Sequence, residues 1–287
     1  PEELWRWRYH DRPEFPGVCT VADDGDVVAH VGAITSKADI PDGSLKLALW
    51  TDLMTHPARR DLGLFMDLAQ ANLAACQAAG VQLVYAFPND RSYPLLKRLF
   101  GFKDLGDLPA YEGPRKGLRR PGGPSAAEAR PEPAELDAFW RRVGPEDALV
   151  LRRDAAWVDW RLHRRPGAPY GVFYARTDGL LTGWAAAKVF EGPAGRIGDV
   201  LEFWAEVPEA RNELVCALWD WFAARRVDVV SAWAGAGDHR GSYFESLGLV
   251  PAGPRTHFVA RELSPAGKAF PGEPAYWRLS NGDSDVF

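Results

Sequence analysis

Apolar and polar positions run through the same succession of patterns twice along this chain. In the first half, Val18 to Ala22 and Val27 to Thr35 read as strands flanking an Asp-Asp-Gly-Asp turn, a hairpin signal. A longer strand follows from Leu45 to Thr55. Phe65, Leu68, Ala69, Asn72, Cys76 and Ala79 then recur at helical spacing up to the stop at Gly80. The pattern closes with an apolar strand, Val81 to Phe87, and a short helix from Tyr93 to Phe100 that ends in Gly101-Phe102. The second half repeats the order. Strands are expected at Gly171–Ala175, Leu180–Phe190 and Arg196–Glu206, then a helix through Leu214, Val215, Leu218, Trp219 and Phe222. A strand over Val227–Trp233 and a short helix before Leu247-Gly248-Leu249 complete it.

The sequence itself repeats as well. Trp7-Arg8-Tyr9-His10-Asp11-Arg12-Pro13 returns as Trp160-Arg161-Leu162-His163-Arg164-Arg165-Pro166, an offset of 153, and Pro57 matches Pro208 at an offset of 151. Two copies of one mixed α/β unit are therefore expected, with domains at 1–110 and 134–287. Residues 111–133, rich in Pro, Gly, Ala and Arg, read as a linker. Helical segments around Leu136–Val143 and Asp154–His163 open the second copy.

Composition narrows the field. With 287 residues, 46% apolar and 25% charged, the chain has the balance of a globular protein with a core. A net charge of −5 speaks against nucleic acid as a partner, and no apolar run approaches the roughly 20 residues of a membrane span. Cys19, Cys76 and Cys216 are odd in number and far apart, which suits a reducing cytoplasm. The six histidines have no HxH or HExxH spacing, so no metal is expected.

The chemistry-bearing segment is Leu49 to Phe65. A strand ends near Pro57, and a loop containing Arg59, Arg60 and Gly63 opens a helix. Such a junction directs unpaired backbone N–H groups and the positive end of the helix dipole at one point, an anion site. Gly63 allows close backbone approach.

This segment resembles the pyrophosphate loop of GNAT acyltransferases, Arg/Gln-x-x-Gly-x-Gly/Ala, with Arg60, Gly63 and Phe65 at the marked positions. Phe65 departs from the small residue of the pattern. Asn89 after the next strand, and the short helix ending Gly101-Phe102, continue the family order. The resemblance implies a tandem GNAT-like fold, similar in layout to mycothiol synthase, and an acetyl-CoA-dependent N-acyltransferase. Its acceptor would be a small-molecule or peptide amine. It further implies acyl-CoA contacts from Leu53, Met54, Thr55, Arg59, Arg60, Asp61, Leu62, Gly63, Leu64, Phe65 and Asn89, with a backbone N–H of Leu53 or Met54 on the thioester carbonyl. Asp52 is the candidate base, on the strand face opposite Leu47, Leu49, Thr51 and Leu53. The family's acidic Tyr position holds Lys97, which leaves Tyr93, one turn earlier, as the candidate acid.

The second copy departs further. Leu214 stands where Gly63 does, and Glu209 and Glu213 place negative charge there, so this copy is expected to be degenerate. Its many Trp residues are candidates for an acceptor-pocket wall, most of them as core. The alternative reading is a non-catalytic protein on the same fold that binds CoA or serves as a scaffold. Monomer and homodimer both remain open.

Overall fold

The computed structural model describes residues 2–60, 62–144, 148–167, 169–192, 195–235, 238–264 and 274–284. The chain forms two compact units. One comprises residues 1–107, 147–151 and 256–276, the other 108–146, 152–255 and 277–287.

In the first unit, helix α1 (Glu2–Trp5) runs into a π-helical turn, Arg6–His10. Strands β1 (Val18–Asp23), β2 (Val27–Ile40) and β3 (Gly43–Thr55) form an antiparallel meander. Helix α2 (Leu62–Ala78) then crosses over to β4 (Leu83–Ala86), which pairs parallel with β3 through Leu47, Ala48 and Leu49. Helix α3 (Tyr93–Phe100) ends on Gly101, whose φ of 64° closes the helix in a left-handed cap. One face of the sheet packs against both helices. Ala29, Val31, Ala33, Ala48, Trp50 and Val84 meet Leu68, Ala69, Leu73, Leu96 and Phe100 there. Fully buried Asn72 has its polar groups satisfied across this core: its amide oxygen accepts from Trp50 Nε1 at 2.7 Å, and its amide nitrogen donates to the Val31 carbonyl at 3.1 Å.

Strands β5 (Lys103–Pro114) and β11 (Val250–Glu262) each pass from one unit into the other. In the first unit, Val259–Glu262 pairs antiparallel with β4. Strand β6 (Val150–Leu151) pairs there with Ala38 and Asp39 of β2.

The second unit repeats the motif. Helices α4 (Pro133–Val143) and α5 (Ala155–Val158) precede a second π-helical turn, Asp159–His163. Strands β7 (Gly171–Thr177), β8 (Leu180–Gly192) and β9 (Gly195–Ala205) form the matching meander. Between β7 and β8, Asp178 and Gly179 both take positive φ, the tight hairpin turn that Asp-Gly favours. Helix α6 (Pro208–Ala224), strand β10 (Val229–Trp233) and helix α7 (His239–Ser246) follow, with β10 parallel to β9 and antiparallel to β5.

The segment read as a linker is built into this unit. Residues 110–114 pair with β10, Leu118 is buried in the core, and Ala126 and Ala127 donate to the carbonyls of Glu213 and Tyr174. Its Pro and Gly content reflects an extended strap whose few apolar side chains dock singly, which periodicity does not register. The Trp residues of the second half are core: Trp157, Trp160, Trp184, Trp204, Trp219, Trp221 and Trp233 are all buried. No described helix is long and apolar enough to cross a membrane.

Candidate active site

Near its C-terminal end, β3 is interrupted. Gly32 pairs with Thr51 and His30 with Met54, so Val31 alone faces both Asp52 and Leu53, a β-bulge. Asp52 takes φ 53°, a left-handed conformation that Asp tolerates better than most residues. The bulge breaks the strand's alternation. Leu53 packs against the helix-side core. The Asp52 carboxylate emerges instead on the opposite face, the side of Gly32.

That carboxylate is engaged on both oxygens. Arg8 Nη1 donates to them at 2.9 and 2.7 Å, and the Tyr9 hydroxyl donates at 2.5 Å. His30 Nδ1 lies 3.0 Å from the Asp52 carbonyl oxygen, an acceptor only, so this nitrogen carries the ring proton. Tyr9 reaches the bulge because position 32 is glycine: a Cβ there would overlap the Tyr9 hydroxyl. Burial, and then the bond to Asp52, push the Tyr9 hydroxyl far above the ordinary tyrosine range, so it stays a donor. Burial also takes the neighbouring Cys19 thiol up to about 12. Asp52 was expected as a base on the face opposite Thr51; the bulge turns it round and supplies it with a cation and a hydroxyl.

Beyond the bulge a cavity of about 600 Å³ opens, lined by Leu53, Met54, Thr55, Arg60, Phe65, Asn89, Arg91, Ser92 and Leu95. One wall is the end of β3, a second the start of α2 and a third the start of α3. A 3-10 turn, Pro57–Arg59, is capped by His56, whose ring accepts from the Ala58 N–H, and carries the chain from β3 to Arg60. The Asn89 side-chain oxygen accepts from the backbone N–H groups of Arg91 and Ser92 at 3.0 Å each, which fixes the entry to α3. The Phe65 ring stands edge-on to buried Phe100, centroids 5.7 Å apart.

Residues 2–103 match the family model of the acetyltransferase (GNAT) domain. Among curated proteins none matches the chain. Solved structures share its fold at low identity. A GCN5-related N-acetyltransferase from Anabaena variabilis is 13% identical with a TM-score of 0.64, over 87% of this chain and 63% of that one. A conserved protein of Enterococcus faecalis V583 is 16% identical with a TM-score of 0.60, over 84% and 60%. Eis1 from Mycobacterium abscessus is 17% identical with a TM-score of 0.56, over 92% and 69%. The chain thus spans about 60% of the length of the first of these relatives.

Within the matched segment the expected contacts divide. Leu53, Met54, Thr55, Arg60, Phe65 and Asn89 line the cavity. Leu62, Gly63 and Leu64 form the first turn of α2 between two lining residues, and Asp61 lies outside the described residues. Arg59 turns away to an ion pair with Asp24. Tyr93 does not line the cavity. Ser92 and Leu95 occupy the cavity side of α3, whereas Tyr93 and Lys97, one turn apart, share another side. There the Tyr93 hydroxyl donates to Asp104, Lys97 Nζ donates to both, and the Tyr93 ring stacks on His257. Asp104 is opposed by burial, yet bonds from Lys97 and Tyr93 hold it down at about 2, so the Tyr93 proton faces a lasting anion.

Sequence reasoning missed Arg91, Ser92 and Leu95, although Asn89 as a cap followed by a three-residue helical step predicts a shared wall. It also missed Arg8, Tyr9 and His30. The available signal was the repeat: Tyr9 becomes Leu162 in the second copy, a hydroxyl kept only in the first.

Proposed function

We propose that the first unit binds an acyl-CoA, acetyl-CoA in the first instance, and transfers its acyl group to an amine. The observation that carries this reading is the cavity between the broken end of β3 and the starts of two helices, inside the GNAT-matched segment. Its lining suits the donor. Leu53, Met54, Phe65 and Leu95 offer apolar surface to a pantetheine arm, while Arg60 and Arg91 flank the helix starts where a pyrophosphate gains from backbone N–H groups. Arg59, neutralised by Asp24, contributes less than its position suggests, and Arg91 takes that place.

In the reaction the neutral amine attacks the thioester carbonyl carbon, and a backbone N–H of Leu53 or Met54 stabilises the developing oxyanion. The C–S bond then breaks. The thiolate takes up the proton that the amine nitrogen gives up, yielding an amide and free CoA thiol.

The test is calorimetric titration with acetyl-CoA, alongside Gly63→Glu. Wild type should bind at micromolar level, about −8 kcal/mol, and the variant should lose at least about 100-fold, since a carboxylate would meet the phosphates. No wild-type binding would remove the reading. Equal affinity in the variant would show the loop to be misassigned. The engagement of Tyr93 with Asp104 favours a second reading, a CoA-binding protein without turnover; binding without acetyl transfer to any amine in a screen would support it.

A further inference from the structure

We infer that Arg8, Tyr9 and Asp52 form a clasp that holds β3 in its bulge and thereby positions the backbone N–H donor for the thioester carbonyl. The inference rests on the acyl-CoA reading above, and it makes Asp52 a positioning residue in place of a base.

Four observations converge. Asp52 is a non-glycine residue in the left-handed region within a strand, near its C-terminal end, a conformation that must be held by its surroundings. Its surroundings do hold it: both carboxylate oxygens accept from Arg8, one also from Tyr9, and its carbonyl accepts from His30. These contacts come from separate elements, the N-terminal π-helical turn and the neighbouring strand, so the clasp fixes the bulge from two directions. Next to it, Leu53, Met54 and Thr55 are cavity-lining residues, so a rotation at Asp52 is transmitted directly to their N–H groups.

The arrangement also accounts for a sequence feature without another use. Position 32, beside the bulge, is glycine because any side chain there would displace the Tyr9 hydroxyl. A base role fits less well. The carboxylate oxygens already accept three hydrogen bonds, which leaves them poorly placed to take a proton from an incoming amine.

The experiment reads carbonyl polarisation directly and needs no acceptor. Acetyl-CoA labelled with ¹³C at the thioester carbonyl is bound to the protein, and the carbonyl stretch is recorded by infrared difference spectroscopy. Calorimetry gives the affinity of the same samples. Wild type should show a shift to lower frequency on binding. Tyr9→Phe, which keeps the ring over Gly32, should lose part of that shift. Asp52→Val, whose β-branched side chain disfavours the left-handed region, should lose it all. Asp52→Asn, which tolerates that region and keeps an acceptor oxygen, should retain most of it. Affinity should stay within about fivefold of wild type throughout, the worth of one neutral hydrogen bond.

Shifts equal to wild type in Tyr9→Phe and Asp52→Val, with binding preserved, overturn the clasp and leave the acyl-CoA reading intact. Should Asp52→Val fail to fold, the isosteric Tyr9→Phe decides alone. Wild type that binds acetyl-CoA with no carbonyl shift also overturns the clasp. Wild type that binds none overturns the acyl-CoA reading, and the clasp falls with it.

Discussion

The two π-helical turns, Arg6–His10 and Asp159–His163, derive from one repeated motif and end in different chemistry. In the first unit Arg8 and Tyr9 grip the carboxylate of a left-handed Asp52. In the second, Arg161 donates to the Tyr170 hydroxyl and the Ser284 carbonyl, and Leu162 is simply buried. At the offset that aligns Pro57 with Pro208, Asp52 corresponds to Phe203. Strand β9 has its own register shift, opposite Ala186 and Ala187 and nearer the hairpin, with no left-handed residue. The loops after the two prolines also differ. Helix α2 waits until Leu62, whereas α6 starts at Pro208 itself. No loop is left to enclose an anion there, and Leu214 in the place of Gly63 is buried completely. Packing needs preserved the strands and helices of both copies. The site depends on a few local interruptions of that packing, and those were free to disappear from one.

The sharpest way to break this comparison is to damage the second unit alone. Its sheet is tied to residues 280–284 by fully buried Arg153, which contacts Glu202 at 2.9 Å and Asp283 at 2.5 Å. Arg153→Met leaves two carboxylates buried without their cation, which should cost about 3–5 kcal/mol in chemical denaturation. The affinity for acetyl-CoA should not change. A parallel loss of affinity would show that the second unit contributes to binding and is more than a structural copy.

A smaller effect separates the two copies at their arginines. Arg60→Gln and Arg91→Gln should each weaken acetyl-CoA binding by about tenfold, or about 1.4 kcal/mol, and each should reduce its salt dependence. Arg211, the counterpart of Arg60, lies over the Tyr243 ring with 4.9 Å to the centroid, and Arg211→Gln should leave binding unchanged. Wild-type affinity in Arg91→Gln would remove that residue from the site.

Much of this division could be read from the chain before its structure. The period-two and helical patterns place β1 to β3, α2, α3 and their second-copy partners to within a few residues, because each has one buried face. The loss of the loop in the second copy is visible in Leu214, Glu209 and Glu213. Asp52 shows where such reading stops. Alternation assigns it to one face of β3, but a single left-handed residue reverses that, and nothing local in Thr-Asp-Leu-Met announces a bulge. The passage of 256–262 into the first unit is equally silent, since a strand's pattern does not specify its neighbour. The surroundings of Tyr93 are silent for a related reason: its contacts with Asp104 and His257 are tertiary, and the helical period does not specify them.

The smallest test uses two histidines whose environments push them in opposite directions. In the first unit, His257 has Asp107 at 2.7 Å on Nδ1 and Asp90 at 3.0 Å on Nε2, with the Tyr93 ring stacked on it. The bond to Asp107 foremost raises its pKa, against some burial and with help from Asp90. The folded protein therefore binds this proton more tightly than the unfolded chain. The stabilisation is complete below the ordinary value near 6.5 and is lost as pH rises through the raised one. In the second unit His163 lies 3.1 Å from the Tyr174 hydroxyl; burial foremost, then the charge of Arg130, lowers its pKa. Its contribution has the reverse sign, being complete above about 6.5 and lost as pH falls through the lowered value. Melting curves at pH 5.5, 7 and 8.5 should show His257→Gln flattening the alkaline arm and His163→Gln the acidic one, each by about 1–3 °C. If both variants altered the same arm, the two copies would share one electrostatic environment at these positions, and the contrast drawn between them would not extend to their histidines.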